Sequence, residues 1–226
     1  MKSFFELVVK DLISKVVFEK TFFIIPNRRS KVFLKKEILK SIKNTTLSPQ
    51  ILSIDDFIEL ISEMNESPKT TQIFNLYEAY MKVSKKKDFE SYNLFRNWSN
   101  MLLDDINDVD MSLAKSNDVF KYLFEIQKLQ TLTEEEGKTK LEFWKMIPKI
   151  VNEFKQILQK KNNANKGLCH LIAKKNINIF SNSHSDNSFI FIGLNSWSKS
   201  EEFIINHLLE NNNSKSLTLF YFAFGS

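Results

Sequence analysis

Strand signals in this chain are confined to its two ends, while the stretch from Glu66 to about Lys166 carries only helical ones. That pattern permits a layer of strands and helices interrupted by a helical segment. Thr21 to Ile25 reads Thr-Phe-Phe-Ile-Ile and is closed by Pro26, a compact run of β-favouring residues. Because it has no polar alternation, it predicts a strand buried on both faces, as in a parallel sheet. Ahead of it, Phe5, Val8, Val9, Leu12, Ile13 and Val16 recur at helical spacing and predict a helix over 3–17. Behind it, Val32, Phe33, Ile38, Leu39 and Ile42 predict a second helix with Ser30 as its N-cap. Pro49 to Ile54 reads as the next strand. Ser53 then caps a helix whose Asp55 and Asp56 suit the positive end of its dipole.

The middle region holds four apolar stripes at helical spacing, carried by Ile73 to Met81, Leu94 to Leu102, Val119 to Ile126 and Trp144 to Leu158. Polar stretches at Lys85–Asp88 and Thr131–Gly137 predict turns between them, and Pro148 predicts a kink in the last helix or its true start. After Gly167 the sequence predicts a helix through Lys175, a polar loop over Ser181–Asn187, a strand over Ser188–Ile192, a helix over Ser200–Leu209 and a strand over Ser216–Phe222. The expected organisation is an α/β layer over 1–65, an all-helical insertion over 66–166, and a return to the α/β layer over 167–226. The chain stops two residues after Phe224, straight out of an apolar strand, so the native polypeptide is expected to continue.

At 226 residues, with 42% hydrophobic and 26% charged side chains, the chain has the balance of a folded protein rather than a disordered one. A single cysteine excludes a disulfide framework and a multi-cysteine zinc site, and fits a reducing compartment. The longest uncharged apolar run, Asn187 to Ser198, is too short to cross a bilayer. Glu6, Lys10 and Asp11 interrupt the N-terminal apolar stretch, unlike a signal peptide. A cytoplasmic protein without a membrane partner is the expectation. The net charge of +5 points to an anionic partner such as nucleic acid, yet only three of the 32 basic residues are arginines (Arg28, Arg29, Arg96). Arginine supplies the planar fork that nucleic-acid sites favour, so most of the lysines read as solvated surface.

Glu136-Gly137-Lys138-Thr139 contains the Gly-Lys-Thr of a phosphate-binding loop, but the position that needs the first glycine is Leu132. With four glycines in the chain, no other glycine-rich cradle is available. Asp104, Asp105, Asp108 and Asp110 lack the glycine and terminal glutamate of a calcium loop, and read as a helix end followed by a polar turn. Cys169 and His170 are sequence neighbours, which keeps them from facing each other as nucleophile and base. His184 and Asp186 sit in a polar loop, and Trp98, Trp144 and Trp197 read as core. The residues give no catalytic constellation.

The most informative segment is Phe23-Ile24-Ile25-Pro26-Asn27-Arg28-Arg29-Ser30, leading into Phe33-Leu34-Lys35-Lys36. Two of the three arginines stand just past the carboxyl end of a buried strand, where open α/β sheets place ligands against a helix N-terminus. The residues leave two readings open, phosphate-backbone contacts or surface salt bridges.

This segment, Ile-Pro-Asn-Arg-Arg-Ser-Lys-Val-Phe-Leu-Lys-Lys, resembles the N-terminal part of the bacterial PD-(D/E)XK nuclease family proteins related to AddB and RecB. Further stretches resemble that family in order: Ser48 to Phe57; Trp98 to Leu103 running into Asp104 to Asp110; Phe143-Trp144 with Phe154 and Gly167; and Phe191 to Asn195 followed by Ser198 to Glu202. The resemblance covers nearly the whole chain. It implies a degenerate P-loop, helicase-like fold, similar to the first motor domain of superfamily 1, with its parallel sheet interrupted by an all-helical insertion. It also implies a role in DNA repair and recombination, single-stranded or end-resected DNA as the ligand, and a possible helicase–nuclease partner subunit. The strand ending at Pro26 corresponds to the family's single-stranded-DNA motif, and the strand at Ser188–Ile192 to the one bearing its magnesium-coordinating acid.

Two departures bear on activity. No phosphate-binding loop precedes Thr21, and the later strand runs into Gly193-Leu194-Asn195 without an aspartate. ATP hydrolysis would lack its main electrostatic stabilisers. The nuclease motif belongs to a more distal part of the family, so magnesium would be a cofactor of the parent exonuclease and none is expected for these residues. The expected site is Asn27, Arg28 and Arg29 on the phosphate backbone, with Lys31, Lys35 and Lys36 adding long-range attraction. The alternative is a protein-interaction scaffold that docks a partner subunit with little DNA contact. A third reading, an ATPase or nuclease whose site the residues do not reveal, is open to a turnover assay with magnesium, ATP and DNA.

Overall fold

The computed structural model describes residues 3–41, 48–84, 90–130, 135–210 and 218–221, with the backbone alone for 129–130, 135–143 and 218–221. Two compact units divide the chain, one formed by Met1–Glu63 with Ala173–Ser226 and the other by Met64–Ile172. The protein is an α/β chain, mostly helical, with one small parallel sheet.

In the first unit α1 (Phe4–Leu12) leads through a short 3-10 turn into β1 (Thr21–Ile25), followed by α2 (Arg28–Ser41), β2 (Gln50–Ser53) and α3 (Ile54–Ser62). The remainder of this unit is the later part of α8 (Lys166–Ser183), β3 (Ser188–Ile192), α9 (Lys199–Glu210) and β4 (Thr218–Tyr221). The strands are all parallel, in the order β2-β1-β3-β4. β1 is buried at each of its five positions, as an uninterrupted apolar run requires of a central strand. Its alternating side chains serve two layers. Phe23 and Ile25 join Val8, Val9 and Leu12 of α1 and Leu34 and Ile38 of α2. On the other face Phe22 stacks with Phe189 and meets Phe180 of α8 edge-on, and Phe57 of α3 packs on Phe180, Phe189 and Phe191.

The second unit consists of α4 (Lys69–Val83), α5 (Tyr92–Met111), α6 (Ser116–Gln130), α7 (Glu135–Lys160) and the first turns of α8. α7 packs on both α4 and α6, burying Ile147, Ile150, Val151, Phe154, Ile157 and Leu158. Tyr77, Tyr80, Phe95 and Trp98 form an aromatic cluster between α4 and α5, with the Trp98 indole donating to Glu90 at 2.9 Å.

Several expected boundaries shift. α1 ends at Leu12 rather than at 17, because the chain must turn for Phe18 to enter the core beside Phe23. α8 continues to Ser183, eight residues beyond the expected Lys175, since Ile177 and Phe180 are buried and Asn176 Nδ2 donates to Ile61 and Ser62 carbonyls. Pro148 lies inside α7 and does not mark its start; partners on both sides hold the helix through the missing hydrogen bond. Glu135–Gly137 belong to the same helix instead of a turn, while 131–134, like the turn expected at 85–88, fall outside the described residues. The acidic cluster forms the last turns of α5 and is followed by a turn at Ser112, the helix end that the sequence predicts.

Candidate nucleic-acid interface

Parallel register brings the helix starts together. Ile25 of β1 pairs with Ser53 of β2, so α2 and α3 begin side by side at the carboxyl edge of the sheet. Each start, and that of α9, has its own cap. Asn27 Oδ1 accepts from the Ser30 amide at 3.0 Å and from the Ser30 hydroxyl at 3.2 Å, so the cap of α2 is Asn27 and not the expected Ser30. Ser53 caps α3, as the sequence predicts, and Asp56, expected only to suit the dipole, returns a bond to the Ser53 amide and completes a reciprocal capping box. Ser198 and Glu201 do the same for α9, with the Ser198 amide and hydroxyl donating to Glu201 Oε2 at 2.6 and 3.0 Å and the Glu201 amide donating to Ser198 Oγ. α3 and α9 thus carry carboxylates in their first turns; α2 carries none. Its dipole therefore meets cations, Arg28 and Arg29, at the end that attracts anions.

The structure separates the two arginines. Arg28 donates from Nε and Nη2 to Asp56 Oδ1 at 2.9 and 2.6 Å, while its side chain remains 75% exposed. Burial works against ionisation of Asp56, but hydrogen bonds from Arg28 and Ser53 outweigh it and hold the carboxyl below its usual range. The same bond from Asp56 raises Arg28 further. The salt-bridge reading therefore describes Arg28, two of whose five guanidinium donors are engaged. Arg29, Lys31, Lys35 and Lys36 are exposed, and among the described residues no carboxylate lies within ion-pair distance of them. On the sheet side of α2 Leu34 and Ile38 are buried. The outward side mixes these cations with Val32, Phe33 and Leu39, which are 60–69% exposed.

Three residues of this edge take on roles that local sequence does not give them. Asp56 is one; its reach to Arg28 crosses 28 positions. Glu201 is another, although Ser198-x-x-Glu201 is itself a capping-box pattern. Gly193 is the third. It follows β3 with φ +72°, facing Pro26 and Phe4, in a conformation that favours glycine at a strand-to-loop turn. β1 lies between β2 and β3, so the strand order reverses here, and ligands of open α/β sheets bind at such points.

The remaining candidates have structural roles. Gly137-Lys138-Thr139 lies in the first turns of α7, which follows a helix rather than a buried strand, so the setting of a phosphate-binding loop is missing. Cys169 and His170 are buried on α8. His184 stacks on Phe180 and bonds its carbonyl through Nδ1. Asp104 pairs with Lys69 at 3.0 Å, and Asp110 with Lys155 at 2.6 Å. Among the described residues no cluster of histidine, cysteine or carboxylates could hold a metal ion, and no helix is long and apolar enough to cross a membrane. No protein-family model matches the chain, and no curated protein matches it significantly.

Proposed function

We propose that this chain is a non-catalytic, ATPase-inactive, helicase-like N-terminal domain of an AddB/RecB-like exonuclease in DNA double-strand-break repair. In this reading it belongs to the cytoplasm, binds single-stranded DNA and scaffolds the rest of the nuclease, whose magnesium chemistry lies elsewhere. The observation that carries the DNA role is the row of exposed cations on α2, without an ion-pair partner among the described residues and starting at a helix N-terminus without a first-turn carboxylate. Arg29, Lys31, Lys35 and Lys36 meet the phosphate backbone; Asn27 shapes the turn, and Arg28 offers the donors that Asp56 leaves open.

The test is fluorescence anisotropy of a labelled single-stranded oligonucleotide titrated over salt. Arg29→Ala combined with Lys35→Ala and Lys36→Ala should weaken binding alike for all sequences and reduce the salt slope by ~0.7 for each lost phosphate contact. Arg28→Ala should do less. Unchanged affinity and slope in the triple variant would sink the assignment.

The exposed Val32, Phe33 and Leu39 favour a second reading, in which the same helix docks a partner subunit. Val32→Glu with Leu39→Glu would then abolish subunit association and leave the salt slope of DNA binding as it was.

A further inference from the structure

α6 and α7 border a cavity of about 640 Å³, in the size range of small-ligand sites. Each helix contributes one stripe, residues 117, 121, 124 and 125 from α6 and 145, 148, 149 and 152 from α7. Three features of its lining converge. Tyr122, Phe124 and Pro148 supply flat apolar surface, and Tyr122 is 67% exposed, an unusual position for a ring that only packs. Lys121, Lys145 and Lys149 stand around it without an ion-pair partner among the described residues, whereas the one acid of the lining, Glu125, has Lys128 3.9 Å away. Asn152 Nδ2 donates to Asn117 Oδ1 at 3.0 Å. That bond leaves the Asn117 amide hydrogens and the Asn152 carbonyl side by side, a donor and an acceptor like those that meet a base edge.

We propose that this groove binds a nucleotide unit, with its base on Tyr122, Phe124 and Pro148, its edge on the two asparagines and its phosphate among the three lysines. An apolar floor alone would take many ligands, but three ammonium groups without an ion-pair partner among the described residues select an anion. The lining spans only about two turns of each helix, which suits a planar ring with one phosphate better than an acidic helix, which needs a longer groove. The site lies in the helical unit and does not depend on the reading of α2.

The experiment uses the full chain and an oligothymidylate carrying 4-thiothymidine. Photocrosslinking followed by mass spectrometry should place the adduct on the peptide containing Tyr122, in the native chain and equally in the Arg28→Ala/Arg29→Ala variant. Tyr122→Ala should weaken binding by ~5-fold or more, the loss of one stacked base, with helical circular dichroism unchanged because the ring is exposed. Lys145→Glu with Lys149→Glu should also weaken it and flatten its salt dependence. Competition by free thymidine monophosphate would identify a mononucleotide site, and its absence a site for a strand. Adducts confined to other peptides, together with unchanged affinity in Tyr122→Ala, would overturn the proposal. So would displacement of the oligonucleotide by an acidic peptide with no sensitivity to Tyr122, which would mark a protein-docking groove. A neutral Arg28→Ala/Arg29→Ala variant with the Tyr122 adduct intact would count against α2 alone.

Discussion

The α/β unit turns its buried carboxylate to a helix start within its own first turn, whereas the helical unit pairs its own with a lysine 45 positions away. β1 and its neighbours are wrapped in phenylalanine and isoleucine, and the carboxylates nearby, Asp56 and Glu201, are spent on helix starts. In the helical unit Asp110 is fully buried, with Oδ1 held by Lys155 at 2.6 Å and Ser116 at 2.8 Å. Beside it the Asn107 side chain accepts from Asn165 at 2.7 Å and from the Gly167 amide at 2.8 Å. A sheet satisfies its backbone internally and needs only apolar cover. Helices that pack at angles leave termini to be tied down, and here interior polar side chains do that.

The largest break of this contrast should come from Lys155→Ala. Removing the ammonium leaves Asp110 buried and unpaired, with an expected loss of ~3 kcal/mol or more in urea denaturation. Exchanging an exposed pair such as Lys69 and Asp104 should cost ~0.5 kcal/mol or less.

Two glycines sharpen the comparison at a smaller scale. A Cβ on Gly167 would lie 2.7 Å from Asp110 Cβ and 3.0 Å from Asn107 Cα, so Gly167→Ala overpacks the helical unit and should cost ~1–3 kcal/mol. At Gly193 the nearest atoms would be 3.7 Å away, in ordinary contact, and only the φ of +72° resists a side chain. Gly193→Ala should therefore cost ~1–2 kcal/mol through strain alone, and Gly193→Asn less, because asparagine tolerates the left-handed region. Equal losses for alanine and asparagine at 193 would refute the backbone argument.

Acid should move the two units in opposite senses, by the smallest margin. Asp56 is held below the usual 3.8, so its contribution to stability is present above 3.8 and is lost as pH falls through its lower folded value. Asp105 is raised by burial and by the charges of Asp108 and Asp104. Its penalty is therefore present above its folded value and is relieved as pH falls towards 3.8. Carboxyl-carbon NMR titration should give midpoints on opposite sides of 3.8, and Arg28→Ala should move only that of Asp56 upwards.

Local patterns carried much of this. The short runs at Thr21–Ile25 and Ser188–Ile192 read as buried strands, because they are brief, rich in phenylalanine and isoleucine, and apolar on both faces beyond their first residue. Ser53 followed by Asp55 and Asp56 announced α3, since a cap and first-turn acids lie within one turn of each other. Asn27 and Ser30 both qualify as caps by type, and the choice fell to Asn27 because the helix opens at Arg28. The polar stretch Ser181–Asn187 reads as a loop by composition, yet Ile177 and Phe180 find a sheet to cover and carry the helix on to Ser183.

The sequence by itself determined an α/β layer broken by helices, a basic turn after the first strand, and the lack of a glycine cradle for phosphate. Each of these depends on residues within a few positions of one another. Only the tertiary structure decided which arginine is free. Register sets Ser53 against Ile25 and so brings Asp56 to Arg28, while Arg29, one residue on and about 100° around the helix, is turned away. It likewise decided that α6 and α7 bring an exposed ring and three ammonium groups to one cavity. Electrostatic and packing partners far apart in sequence meet only when the chain has chosen its neighbours, and no periodicity encodes that choice.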